Sequence, residues 1–178
     1  NTMIQFERLN IDQKPEIDAL LRHASHRGCA FSFANLYIWG RQCAARVGED
    51  LLLFSHFGGK TLYPYPVCPG DPRPALDALM ADAKERGITC CFTGMNQEEC
   101  DLLEKYYPGK FRIQPDRNGF DYIYSIDDLA DLKGRKFQKK RNHVNRFRAE
   151  HPNYEVIPLT VCNLPMAQHM VNDWFMKR

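Results

Sequence analysis

Residues 43–67 read CAARVGEDLLLFSHFGGKTLYPYPV, and this stretch decides the fold class. Three strand-like runs, 43–47, 51–57 and 60–67, are separated by Gly48-Glu49-Asp50 and by Gly58-Gly59. Short glycine-bearing breaks between such runs are hairpin turns, so the stretch predicts an antiparallel three-strand meander. Pro64 and Pro66 have no backbone N–H to give to a ladder. The third run is therefore expected either to lie at a sheet edge or to leave the sheet early.

Upstream of the meander, residues 5–9 form a short strand-like run. Asp12 then offers an N-cap and Pro15 an early helical position for a helix that carries Ile17, Leu20 and Leu21. Phe31, Ala34, Leu36, Ile38 and Trp39 cover too broad an arc for a surface helix, so 31–39 is expected as a buried one. Downstream, Leu76, Leu79, Met80 and Ala83 mark an amphipathic helix over 74–86, and Gly87 stands where a left-handed C-cap belongs. A buried strand is expected over 88–93, followed by a helix that Asn96 caps and Pro108-Gly109 ends. Residues 111–114 and 120–126 are expected as two strands around a turn, and 154–159 as another strand. Ala167, Met170, Val171, Trp174 and Phe175 have helical spacing in a last helix over 164–176. That helix shows no C-cap and presents Trp174 and Phe175 to a surface these residues do not supply, so the polypeptide is expected to continue. The fold class is thus α/β (α+β), a mixed and largely antiparallel sheet flanked by helices.

The 178 residues, 44% of them hydrophobic, suffice for one substantial core. The uncharged stretch 28–40 falls short of the roughly 18 apolar residues that a spanning helix requires. The first nine residues include Glu7 and Arg8 and have neither a basic nor an apolar region of the kind that directs secretion. Seven cysteines, an odd number with no C-x-x-C pair, fit reduced thiols better than a disulfide framework or a zinc site. Cys90 and Cys91 are adjacent in an expected strand and would leave it on opposite faces. His23 and His26 are three apart but have no carboxylate placed to complete a metal site, so no metal is expected. These features point to a cytoplasmic protein.

The net charge of +2 conceals an asymmetry. Lys133, Arg135, Lys136, Lys139, Lys140, Arg141, Arg146 and Arg148 stand together with no acid among them, and without these eight the chain carries −6. A basic band on an acidic body is the footprint of an anionic partner, such as a phosphate backbone or a lipid headgroup; the plainer alternative is a solvated helix face. In FQKKRNHVNRFR, residues 137–148, Phe137, Val144 and Phe147 form an apolar helical stripe. Lys139, Asn142 and Arg146 lie opposite it, with His143 beside them. Lys140 falls within the stripe, where it either snorkels past its neighbours or pairs with a buried carboxylate. Alternation over 120–126 places Tyr122 and Tyr124 on one face of the expected strand, able to stack on a base or an aminoacyl group or simply to form a half-buried aromatic face. Asn35, Tyr37 and Trp39 form a second polar and aromatic set. No G-x-S-x-G elbow or nucleophilic cysteine motif is present, and no catalytic residue is assigned.

The stretches FDYIYSIDDLADLKGRKFQKKRNHVNRF (120–147) and SFANLYIW (32–39) resemble the phosphatidylglycerol lysyltransferase C-terminal-domain family, with a likeness that extends over most of the chain. The element order likewise resembles the Gcn-five-related N-acetyltransferases (GNAT). The resemblance implies two GNAT-like domains in tandem: a first over 1–132, a basic connecting helix over 133–152, and the truncated start of a second over 153–178. It implies transfer of an aminoacyl or acyl group to an amine or hydroxyl acceptor. Aminoacyl-tRNA or acyl-coenzyme A would be the donor, and the reaction would be run by the full-length protein. The anionic ligand, tRNA or a phospholipid headgroup, would lie near Arg135, Lys136, Lys139, Lys140, Arg141, His143 and Arg146. A peripheral position at the inner membrane surface would follow from a lipid acceptor. The sequence departs from the wider superfamily in having no Q/R-x-x-G-x-G/A phosphate loop. The rival expectation is a non-catalytic GNAT-like module that binds RNA or an anionic membrane surface.

Overall fold

The computed structural model describes residues 3–25, 28–39 and 42–177, and in it the meander forms as expected. Five strands, β1 (Glu7–Arg8), β2 (Gln42–Val47), β3 (Asp50–Phe57), β4 (Lys60–Pro64) and β5 (Phe92–Thr93), stand in chain order across one sheet. The first four pair antiparallel, and β5 runs parallel to β4. Both hairpins are two-residue turns that pair Val47 with Asp50 and Phe57 with Lys60. Gly48, Gly58 and Gly59 take φ of +63°, +58° and +74° there, values that match the strand twist and that side chains disfavour.

Strand β3 is the centre of the core, with Leu51, Leu52 and Leu53 essentially inaccessible. Leu51 and Leu53 face Ile17, Leu21, Phe33, Leu36 and Val67, whereas Leu52 faces Tyr63, Ala75, Leu79 and Ala83. Helices α1 (Lys14–Leu21) and α2 (Phe33–Ile38) therefore cover one face of the sheet and α3 (Arg73–Glu85) the other. Each of these leucines contributes about 1.5–3 kcal/mol of burial. Helix α4 (Gln97–Tyr106) adds a third cluster, in which Leu103 meets Leu76 and Tyr65.

The two prolines act differently from an edge strand. Ser55 pairs with Leu62, but Leu51 pairs with Val67, so the chain after β4 carries one extra residue relative to β3. That is a bulge, one of the few places where an interior strand tolerates proline. Tyr63 and Tyr65 donate their amides to Cys91 and Thr93 on the β5 side, both at 2.9 Å. The missing donors of Pro64 and Pro66 face the opposite way.

Local capping sets the helix starts. Asn10, not Asp12, begins the first helical turn: its Oδ1 accepts from the amides of Asp12 and Gln13, and Gln13 Oε1 accepts from the Asn10 amide. Asn96 and Glu99 form the same reciprocal pair at α4. Helix α2 is buried on one side only, with Phe33 and Leu36 inside and Ile38 and Trp39 outside, because six residues complete less than two turns. The expected strand over 88–93 shortens to β5, and 111–114, 120–126 and 154–159 are not strands. Ser125 instead accepts from the Asp128 amide at 3.0 Å and starts helix α5 (Ile126–Asp131), with Asp127 and Asp128 in its first turn.

The chain divides into two units, Asn1–Asp121 and Tyr122–Arg178. The first holds the sheet and α1 to α4. The second holds α5, α6 (Gln138–Glu150) and α7 (Leu164–Met176), and among its described residues Phe137 alone is buried. No helix among the described residues is long and apolar enough to cross a membrane.

Within the first unit, Asp82 on α3 is completely buried. Its carboxylate accepts from the Ile4 amide, the Tyr63 hydroxyl and Arg86 Nε, each at 2.7 Å. Burial pushes the carboxyl up, but these donors outweigh it and hold Asp82 below the usual carboxylate range. A depressed folded-state value means stability that is present above about pH 4 and lost as pH falls through the folded value. Asp82→Ala is expected to lower unfolding free energy by about 3–5 kcal/mol at pH 7. In urea denaturation, the gap between wild type and Asp82→Asn should narrow as pH is lowered below 4; a gap that does not change with pH would contradict a charged Asp82.

Candidate functional site

Helix α6 is the structural form of the basic band. It follows a short turn over Arg135–Phe137, and the buried Phe137 ring anchors its start. Around that ring the structure brings together members of both expected sets. Tyr124 tilts against Phe137 at 6.3 Å between centroids, Lys136 Nζ lies 4.7 Å from the Phe137 centroid, and Lys140 Nζ lies 5.2 Å from that of Tyr124. Lys140 thus meets an aromatic face, not a carboxylate, which accounts for a lysine in the apolar stripe.

The cations differ in how firmly they are held. Arg141 Nη1 donates to the carbonyls of Leu132 and Gly134 and so ties the end of α5 to the start of α6. Leu132 has φ +49°, a left-handed value unusual for leucine, and this tie supports it. Lys136 pairs with Asp128 at 2.9 Å, and Arg146 lies 3.8 Å from Glu150. Among the described residues, no carboxylate pairs with Arg135, Lys139, Lys140 or Arg148. Arg135, Lys139 and His143 are exposed to solvent. The helix therefore offers Arg135, Lys139 and Arg148 as open cations, with Lys136 and Arg146 in weak surface pairs that an anion could displace.

The other expected residues are mostly exposed. Tyr122 is 89% exposed, well away from the packing that Tyr124 finds. Asn35 is half-buried on α2, Tyr37 stacks on Phe33 at 5.5 Å, and Trp39 points to solvent. Their positions on α2 follow from its single buried side.

One cavity of about 160 Å³ in the first unit was not legible in the sequence. It opens where the chain leaves the β4 ladder at the proline bulge, and Ser25, Phe31, Tyr65, Cys68, Glu99 and Leu102 line it. Glu99 is buried and accepts from Ser25 Oγ and, at 2.9 Å, from the Asn96 amide, so the segment after α1 is latched to the N-terminus of α4. The Cys68 thiol is pushed up to about 12 by burial and by the Asp50 carboxylate. It is therefore a thiol, not a thiolate nucleophile, at neutral pH. Burial, with the Glu99 carboxylate nearby, pushes Tyr65 up to about 12 as well, and its hydroxyl is buried without a hydrogen-bond partner among the described residues. Among the described residues, no three His, Cys, Asp or Glu converge as metal ligands; His26 lies outside the described residues.

Residues 21–178 match the family described as "Phosphatidylglycerol lysyltransferase, C-terminal". A solved structure titled "Crystal Structure of Conserved Protein of Unknown Function from Bacteroides thetaiotaomicron VPI-5482" is 34% identical, with a TM-score of 0.78 over 97% of this chain and 59% of that one. The present chain thus spans about three fifths of that relative. No curated protein matches.

An unpartnered buried hydroxyl costs about 1–3 kcal/mol, so Tyr65→Phe is expected to leave stability unchanged or raise it by about 1 kcal/mol. Thermal denaturation checks this, and a marked fall in melting temperature would show that the hydroxyl has a partner.

Proposed function

This chain belongs to the phosphatidylglycerol lysyltransferase C-terminal family, and on that premise we propose that it is part of a GNAT-like aminoacyl- or acyltransferase. The observation that carries the proposal is the sorting of cations on α6. Arg135 in the turn before α6, and Lys139 and Arg148 on it, stand open to solvent without a carboxylate partner among the described residues, and the helix is fixed by Phe137 and Arg141. An array of this kind suits a ligand with several anionic oxygens, to which guanidinium groups bind bidentately and ammonium groups as point charges.

In this reading the cations hold the phosphate-rich part of aminoacyl-tRNA or acyl-coenzyme A, or the headgroup of an anionic phospholipid acceptor. The acceptor amine or hydroxyl attacks the activated ester or thioester carbonyl. The new amide or ester bond forms as the bond to the tRNA hydroxyl or the thiol breaks, and the acceptor's proton passes to that leaving group. Binding both partners together supplies the orientation that such a transfer requires. Arg135, Lys136, Lys139, Lys140, Arg146 and His143 contribute to the grip, whereas Arg141 positions the helix. Residues 1–132 would form the first domain, 133–152 the connection and 153–178 the opening of the second. A phospholipid acceptor would bring the protein to the inner membrane surface as a peripheral protein.

The test is binding of the full-length protein to aminoacylated tRNA, uncharged tRNA and anionic liposomes across a salt series, followed by a transfer assay with each donor. Affinity should fall steeply with salt, and Arg135→Ala and Lys139→Ala should each weaken binding and lower the log–log salt slope by about 1. Binding without transfer from any donor would leave the non-catalytic anion-binding module as the function. Absence of binding to all three ligands together with absence of transfer from acyl-coenzyme A would remove the proposal.

A further inference from the structure

The cavity beside the proline bulge contains a hydroxyl that the fold does not satisfy. Tyr65 is only 5% exposed, lines the cavity, and buries its hydroxyl with no hydrogen-bond partner among the described residues. One water would satisfy that oxygen in about 10–15 Å³, a small part of the 160 Å³ present. Much of the remaining wall is apolar, from Phe31, Val67 and Leu102, and water holds poorly against such walls. Apolar walls around a buried polar group are the composition of a small-molecule site. The polar rim is fixed in advance: Ser25 Oγ donates to Glu99 and accepts from Asn96 Nδ2 at 3.2 Å, while Asn96 Oδ1 accepts from the Glu99 amide. Such preorganisation lowers the ordering cost of binding.

Charge selects the ligand. Glu99 is in the wall, the Asp50 carboxylate stands beside Cys68, and no lysine or arginine is among the described residues that line the cavity; His23 is on its exposed rim. The field inside therefore favours a cation and disfavours an anion. Size limits the ligand as well, because a cavity of about 150 Å³ takes a molecule no larger than benzene. We propose that the cavity binds a small primary amine of about five to seven heavy atoms, whose ammonium group donates to the Tyr65 oxygen beside Glu99 and whose hydrocarbon stem packs against Phe31 and Leu102. The site lies wholly in the first unit and takes a cation, whereas the cations of α6 suit an anion. The inference goes beyond the transfer chemistry proposed above and stands without it.

n-Butylammonium, n-butanol and n-butyrate share a stem and differ in the charge of the head, so titrating the full-length protein with each at constant ionic strength, read by saturation-transfer NMR, tests the site. n-Butylammonium is expected to bind saturably and at least about tenfold more tightly than either of the others. Tyr65→Phe, which should fold with unchanged stability, is expected to weaken n-butylammonium about tenfold. Intermolecular NOEs from the butyl protons to Phe31 and Leu102 locate the ligand independently of that variant. No saturable binding, equal affinity for the three probes, or absence of those NOEs overturns the proposal. Equal affinity of wild type and a folded Tyr65→Phe also overturns it, by making the binding an adventitious surface contact.

Discussion

The buried carboxylate of Asp82 is the constraint on which the first unit depends. It joins elements distant in sequence, the Ile4 amide before β1 and the Tyr63 hydroxyl on β4, and it also accepts from Arg86, one turn on at the C-terminal end of α3. Arg86 closes the loop by donating to the Ile4 carbonyl at 2.7 Å, while its guanidinium lies 4.8 Å from the Phe54 centroid. A charge taken out of water is tolerable only when its lone pairs are filled, and here both oxygens are engaged. The sheet, the helix behind it and the N-terminal segment must therefore adopt one relative placement for the Ile4 and Tyr63 bonds to form together. Leucine burial on β3 drives collapse without direction; the Asp82 cluster supplies the direction.

What was legible in the sequence was what is decided locally. Gly48 and Gly58-Gly59 mark two-residue hairpins regardless of context, Asn96 caps α4 with its own N3 residue, and the spacing of Leu76, Leu79 and Ala83 specifies the face of α3. The expectations that failed depended on distant partners. Residues 120–126 alternate like a strand, but a strand requires a neighbour, whereas Ser125 as a cap needs only the Asp128 amide three residues on. Pro64 and Pro66 correctly announced a break in the ladder, yet only the register shift between Leu62 and Val67 shows that the break is a bulge in an interior strand. The same division applies to the site. The cations of α6 are contiguous and could be seen at once, whereas the Ser25 to Glu99 latch joins residues 74 apart, and no local pattern points to it.

Structure also sorts cations that sequence could only count. An exposed pair such as Lys136 with Asp128 is worth about 0–1 kcal/mol, so a polyanion can exchange the carboxylate for phosphate at little cost. Arg141 is in a different position, because its Nη1 holds the backbone carbonyls of left-handed Leu132 and of Gly134 and so adds to the bond from the Leu132 amide to the Asp128 carbonyl. Removing it would disturb how α6 begins, and a loss of binding after that change would report on helix geometry, not on ligand contact. Arg135 and Lys139 are the informative positions because nothing in the fold needs them.

This economy explains how a unit with a single buried side chain among its described residues can still present an ordered cation array. Phe137 gathers Tyr124, Lys136 and Lys140 about one ring, and Arg141 clamps the preceding turn, so the first turns of α6 are fixed by contacts within about twenty residues of sequence. Such short-range ties need no sheet and no second core. The segments around Ile123 and Val156 have no comparable local solution: Ile123 and Val156 are exposed, and their amides find no backbone partner among the described residues. Exposed charge and core formation therefore place opposite demands on neighbouring parts of the same unit: the first is met by a locally braced helix, whereas burial of apolar side chains is met, among the described residues, at Phe137 alone.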